Sequence, residues 1–463
     1  MSKPIPKLMR PHLAVVYGLF FSCAAIGMII CPRAFEKFFS IVQLIPSSGA
    51  VRDGYYWDVE HYAAMAVTAT CNAFYPLWPL LIKSLFHPHT VVEAAYQLKI
   101  VGTVIFLAIL PSLYLLFDRI FKSSQIAFSI LLAFAMNPTG IVRILGYTES
   151  LYCLAAIFLI WSLHEFQLRK NNYKIHYTIA AISTAIASLI RPCSIQIVGS
   201  VIGTLSILFF LEWRVNPNAS FRSIVHHFLP ELKMSALLST FTIAGYSIYG
   251  WTCWQLTGDF LAPFHAQANW GRKLGFYPDL LFVRTSMFDM MGLYMPWIIL
   301  VSAVAFVLMK DRFQAILNCI PRSPLENVWL LYPAVFIPFT MIRLKLKSKQ
   351  IRAEWNLLNS VSLENEDRHE NLSINYLFWF STCFAVITST IVILCPMSFF
   401  GWTTLASLGR QVFAIPFFYI SLGYLCVYFN NNQVNRSVYY WIVISSISTI
   451  EQWINYGKDQ WLS

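Results

Sequence analysis

The stretch Leu13–Cys31, LAVVYGLFFSCAAIGMIIC, decides the class of this chain. It carries no charge and no proline. At 1.5 Å per residue it reaches about 29 Å, enough to cross the hydrocarbon of a bilayer. Similar apolar runs recur at 100–117, 124–136, 148–164, 176–190, 194–211, 234–254, 291–309, 325–342, 375–395, 412–428 and 438–454. Several are shorter than a full span, so their ends extend into flanking mixed sequence. The pattern predicts an all-α polytopic membrane protein with about eleven to thirteen transmembrane helices. Composition agrees: 57% of residues are hydrophobic and 12% are charged, half the charge of a typical soluble domain. The whole of 1–463 reads as one integral membrane domain, because no polar block is long enough for a separate soluble one.

The basic start, with Lys3, Lys7 and Arg10, precedes an apolar stretch longer than a signal-peptide core and lacking a cleavage site, so a retained signal-anchor is expected. The net charge of +11 is not a nucleic-acid signal, because the lysines and arginines sit mainly in short loops, as positive-inside bias requires. The ten cysteines show no zinc spacing. Cys23, Cys153, Cys383 and Cys426 fall inside apolar runs and read as small buried hydrophobes. Cys31 and Cys71 share one loop, where a disulfide is allowed.

Placing the N-terminus inside by charge puts 32–99 outside as a first long external loop. The segments at 137–147 and Arg191-Pro192 then also fall outside, as does a second long external loop over 255–290. Arg119 and Lys122, residues 165–174 and 212–233, and Lys310, Arg312 and Arg322 fall inside. The basic and polar loop 343–374 belongs inside too. The proline-containing run 325–342 is therefore expected to be re-entrant, the alternative being an extra span hidden in 255–290.

The most polar part of the first external loop is Tyr55-Tyr-Trp57-Asp58-Val-Glu60-His61-Tyr62, followed by Ala73-Phe74-Tyr75-Pro76-Leu77-Trp78-Pro79. If the first segment is helical, Asp58 and His61 share a face. One Asp and one His make an incomplete metal site, so neither metal nor cofactor is expected. The two prolines fix a rigid aromatic segment: either a helix entry at the interface or a platform, through Tyr75, under a sugar or lipid head group.

Charged groups at bilayer depth are costly and mark function by default. Asp58, Glu149, Arg191 and Arg410 stand out, all at predicted outer ends, and the alternative for each is a salt bridge between helices. Asn137-Pro138 interrupts one helix, and Thr148 or Ser150 is placed to cap the next, where Glu149 also suits the helix dipole. In the second external loop Gln267, Trp270 and Arg272 mix an amide, an aromatic and a cation, suited to sugar hydroxyls and phosphate. Arg410 opposes the dipole of the helix it begins, which favours an anion-facing role.

Five segments in this order resemble the PIG-V family of membrane mannosyltransferases, related to the enzyme that adds the second mannose of GPI anchors. They are Trp57-Asp58; Ala73-Phe74-Tyr75-Pro76-Leu77-Trp78-Pro79; Asn137-Pro138 with Tyr147-Thr148-Glu149-Ser150; Ala266-Gln267 with Trp270; and Arg410 with Pro416. His61-Tyr62 departs from the family's usual aromatic pair, and 63–72 is short and lacks the usual acidic residue. The resemblance implies a GT-C type glycosyltransferase fold and a polyprenyl (dolichyl-type) phosphate sugar donor. It also implies a glycolipid or glycan acceptor and an active site on the non-cytoplasmic side. The compact loops look more like bacterial homologues, so a bacterial inner membrane is preferred to the endoplasmic reticulum of a eukaryote. The resemblance makes Asp58 the catalytic residue. Arg410, Arg191 and Arg272 then face phosphate, and Trp57, His61, Tyr75, Glu149, Gln267 and Trp270 complete the substrate site. The rival class is a transporter or flippase of lipid-linked sugars, which predicts inverted repeats that the sequence does not show. A non-catalytic subunit of a glycosyltransferase complex is the third reading.

Overall fold

A computed structural model describes residues 8–39, 58–68, 73–168, 174–270, 272, 274–282, 285–308, 375–399, 402–405, 407–429, 432–458 and 460. Among them the architecture is helical. Six helices are long and apolar enough to cross a membrane: α1 (Met9–Ile30), α5 (Val91–Phe121), α7 (Glu149–Leu168), α9 (Ser194–Val215), α13 (Met287–Leu308) and α14 (Tyr376–Leu394). Four shorter apolar helices join them: α4 (Leu77–Phe86), α6 (Ser124–Ala135), α8 (Lys174–Ile190) and α16 (Phe417–Phe429). The remaining helices are α2 (Pro32–Phe39), α3 (Asp58–Val67), α10 (Phe221–His227), α11 (Leu229–Thr257), α12 (Ala262–His265), α15 (Leu408–Phe413) and α17 (Asn432–Gly457). A small antiparallel pair, β1 (Met397–Phe399) and β2 (Trp402–Thr404), interrupts the helical pattern, with Met397 opposite Thr404.

Large apolar side chains cover much of the outside, among them Ile29, Ile202, Ile243, Ile248 and Val301. In water such a surface would be an association site; against lipid tails it costs nothing. The chain is thus a multi-pass membrane protein by its helices. Helix contacts rely on small residues. A Cβ on Gly245 would sit 2.5 Å from the Ala185 carbonyl, so α11 approaches α8 more closely than any other residue allows. Ser188 and Thr242 bridge the same contact by a hydroxyl pair at 2.5 Å.

Every apolar run predicted from sequence and described by the structure lies in a helix, with one correction of detail. The run 412–428 is not continuous: α15 ends at Phe413 and α16 starts at Phe417, after Pro416, whose ring and missing N–H break the ladder. The stretch 32–99, expected to be one long external loop, is not all loop. A capping box of Thr90 and Glu93 starts α5 at Val91, and the loop itself holds α2, α3 and α4. The described part of 255–290 contains only short helical turns beside the two flanking helices, so no span hides there. Residues 325–342 and the loop 343–374 lie outside the described residues.

Helix direction bears on parity. Tyr376 pairs with Ser235 at 2.7 Å, and the Leu377 amide donates to Gln167 at 3.2 Å. Hence α14 begins where α7 finishes and α11 starts. It ends, at Leu394, against Gly275, whose amide donates to the Leu394 carbonyl at 2.8 Å. Helix α13 begins at this same end, because Asp289 in its first turn accepts from the Gly409 amide at 2.8 Å. The two helices therefore run antiparallel, so Leu308 and Asn375 lie at the same end of the bundle.

Cys31 is free, so the Cys31–Cys71 disulfide does not form. Cys23, Cys153, Cys383 and Cys426 are free and buried, as small hydrophobes. Cys253, near the end of α11, is disulfide-bonded.

Candidate active site

One cavity of about 410 Å³ gathers most of the polar residues singled out from sequence. Asp58, Tyr75, Arg191, Gln267, Arg272 and Arg410 all line it. They arrive from the start of α3, the entry to α4, the α8–α9 turn, the turn after α12, the following loop and the start of α15. These are the segments that charge parity assigned to one side.

A continuous chain of ion pairs runs through the cavity wall. Arg410 donates through Nη2 to Asp58 Oδ2 at 2.7 Å and through Nε to Glu149 Oε1 at 2.7 Å. The same Glu149 oxygen accepts from Arg191 Nη1 at 3.1 Å. Glu149 is fully buried and does not line the cavity. It opens α7, where a carboxylate suits the helix dipole, and its charge is shared between two guanidiniums. Aromatic faces support both cations: Tyr147 lies 4.6 Å from Arg410, and Tyr152 lies 5.8 Å from Arg191. Burial works against the Arg410 charge, but Glu149 and Asp58 more than reverse this and lift its pKa well above the ordinary value. Asp58 keeps Oδ1 without a partner among the described residues.

Arg272 differs from the other two cations. No carboxylate pairs with it among the described residues, and its Nε is buried without a hydrogen-bond partner. Burial lowers its pKa, opposed by Cys395 and Asp58. A guanidinium nevertheless stays charged at any physiological pH. Arg191, Arg272 and Arg410 together outnumber Asp58 and Glu149 by one charge, so the site has a positive excess. The same cavity also has apolar lining, which includes Ile195, Phe384, Ile391, Leu394 and Ile415.

The surrounding elements hold these groups in place. Gly146 has φ +93, and a Cβ there would lie 3.0 Å from the Lys99 amide. Its carbonyl accepts from Trp78 Nε1 at 2.8 Å. This turn delivers Glu149 three residues later, and only glycine adopts it without strain. Ser150, expected as a cap, instead donates to the Arg143 carbonyl. Tyr249 donates to the Phe74 carbonyl at 2.7 Å, and its ring packs 5.1 Å from Tyr75. The predicted rigid segment is thus a helix entry whose Tyr75 also reaches the cavity. His61 stacks on Phe74 at 4.6 Å and does not line the cavity. In the second loop, Tyr246 donates to the Phe260 carbonyl at 2.9 Å. The Asp259–His265 pair at 2.7 Å holds Asp259 below the usual carboxylate range. The Arg272 amide donates to the Gln267 carbonyl at 3.3 Å. Trp270 ends the short helical turn Ala266–Trp270. Trp57 lies outside the described residues.

Two charged residues not singled out from sequence complete the frame. Arg143 is fully buried and donates to three backbone carbonyls: Ala414 at 3.0 Å, Phe134 at 2.9 Å and Phe413 at 2.9 Å. These carbonyls lie at the open ends of α6 and α15, and the Phe134 carbonyl faces the position where Pro138 has no N–H to offer, so Arg143 supplies donors that the backbone lacks. Asp289 accepts from Gly409 and from Ser286 Oγ, at 2.8 Å each. It caps α15 from another helix and offsets the dipole that Arg410 opposes. The sequence signal for Arg143 was a lone cation between apolar neighbours, Gly140-Ile-Val-Arg143-Ile-Leu145.

No family model matches this chain, and neither a curated protein nor a solved structure does so.

Proposed function

We propose that the cavity is the active site of a lipid-phosphate-sugar-dependent glycosyltransferase of GT-C type, by analogy with the PIG-V mannosyltransferases. The observation that carries this reading is one cavity combining a carboxylate, an unpaired guanidinium with a positive excess, and an apolar lining. A polyprenyl-phosphate sugar matches it part by part: an isoprenoid tail for the apolar lining, an anionic phosphate for Arg272, and a sugar near Asp58.

In the proposed reaction an acceptor hydroxyl oxygen attacks the anomeric carbon of mannose. The bond from that carbon to the phosphate oxygen breaks, and the electron pair leaves with the polyprenyl phosphate. The acceptor proton passes to Asp58 Oδ1, the oxygen not engaged by Arg410. A single displacement inverts the anomeric carbon. The leaving group is already anionic, so it requires a cation and no general acid. This differs from the two carboxylates of a hydrolase. Arg410 and Arg191, held by Glu149, orient Asp58 and add field to the phosphate site. The acceptor is a glycolipid or glycan on the non-cytoplasmic face. The disulfide at Cys253, near the cavity end of α11, supports that side, because disulfides persist in oxidising compartments.

The test is transfer by the purified protein in proteoliposomes, supplied with polyprenyl-phosphate mannose and a panel of glycolipid and glycan acceptors. The reading expects an inverted mannosyl product and free polyprenyl phosphate. Transfer only from a nucleotide sugar, or movement of the intact lipid across the bilayer without transfer, refutes it.

A further inference from the structure

Resting on that reading, we infer that Gln196 is the residue that recognises the sugar of the donor, through one of its hydroxyls. Gln196 stands in the first turn of α9, three residues after the Pro192-Cys193 bend that also carries Arg191. It lines the cavity beside Asp58 and Arg272. Its Oε1 is buried and has no hydrogen-bond partner among the described residues. A buried amide left unpaired is destabilising, and native proteins keep few of them without reason. Arg272 Nε, in the same lining, is the other such atom.

The two atoms ask for different chemistry. A guanidinium N–H takes any oxygen and most strongly an anionic one. The glutamine end is neutral. A hydroxyl satisfies an amide oxygen by donating and an amide nitrogen by accepting, so the match holds whichever way the amide is turned. A phosphate oxygen satisfies only the nitrogen. Gln267 and Gln411 line the same cavity, giving it a neutral amide set distinct from the guanidiniums. A sugar ring carrying several hydroxyls, attached to a phosphate, is the ligand class that uses both sets. Sites that hydrogen-bond a substrate hydroxyl reject analogues lacking it, because the site's own group is then stranded. Gln196 is thus a specificity-determining residue, separate from the residues assigned to proton transfer and phosphate.

The experiment measures binding of two probes to the detergent-purified full chain: polyprenyl phosphate and polyprenyl-phosphate mannose. Wild type is expected to bind the mannosylated lipid more tightly. Gln196→Ala is expected to lose about tenfold on the mannosylated probe and to bind the plain phosphate unchanged. A set of monodeoxy-mannosyl donors then locates the contact: one analogue loses affinity for wild type and no further affinity for Gln196→Ala. Equal losses on both probes, or no loss on either, overturn the assignment to the sugar while leaving the phosphate reading intact. Wild type binding neither probe overturns the proposed function and this inference together.

Discussion

Glu149 is the keystone of the ion-pair chain, and Glu149→Gln removes its charge while keeping its shape. The native carboxylate accepts two charge-assisted bonds, at 2.7 Å from Arg410 and 3.1 Å from Arg191. Each such bond contributes about 1.5–3 kcal/mol. Breaking a buried pair from one side costs about 3–5 kcal/mol, because the remaining charge is stranded. The amide oxygen of glutamine recovers one neutral bond of about 1 kcal/mol. The net loss should be about 2–4 kcal/mol, with Asp58 left as the sole carboxylate facing three guanidiniums. The assay is unfolding in micelles of wild type, Glu149→Gln, Arg191→Gln and the double variant. The cycle should show a coupling of about 1–3 kcal/mol between the two positions, and transfer activity should fall with Glu149→Gln. A loss below about 0.5 kcal/mol, the size of an ordinary surface change, or strict additivity in the double variant, would show that Glu149 does not hold the two guanidiniums together.

Arg143→Met leaves three buried carbonyls without donors and should destabilise the protein by at least about 3 kcal/mol, read as a lower unfolding temperature; an unchanged temperature contradicts its role at the α15–α16 break. Gly146→Ala forces a non-glycine residue to φ +93 and into the Lys99 amide; it should cost about 1–2 kcal/mol or more, and wild-type stability would show that the turn tolerates a side chain. For topology, single cysteines replacing Ser348 and the exposed Leu274 in a cysteine-free background should react from opposite faces of the membrane, and labelling from one face would break the parity argument.

How far the site was legible depended on how residues announce their cost. Asp58, Glu149, Arg191 and Arg410 were readable because each is a charge at the edge of an apolar run, where insertion is unfavourable without a partner. The structure joins all four in one chain. Sequence alone left open whether these charges were paired or facing a ligand, and the geometry answers residue by residue. Arg410 and Arg191 are paired with carboxylates, while Arg272, expected from its loop to suit phosphate, has no carboxylate partner among the described residues. Gln196 and Asp289 carried no signal, since a glutamine or an aspartate at a helix start is common and its long-range partner is invisible in one dimension. The α15–α16 break was written in Pro416, but hydropathy averaging over 412–428 hides a three-residue interruption.

The central claim is that Asp58 takes the acceptor proton in a cavity built for a lipid-phosphate sugar. The direct measurement is the rate of mannose transfer from polyprenyl-phosphate mannose by wild type and Asp58→Asn in matched proteoliposomes, with unfolding temperatures recorded alongside. The account predicts a fall of about 10²–10⁴-fold for a variant that still folds and still binds polyprenyl phosphate. Transfer by folded Asp58→Asn at the wild-type rate would contradict it.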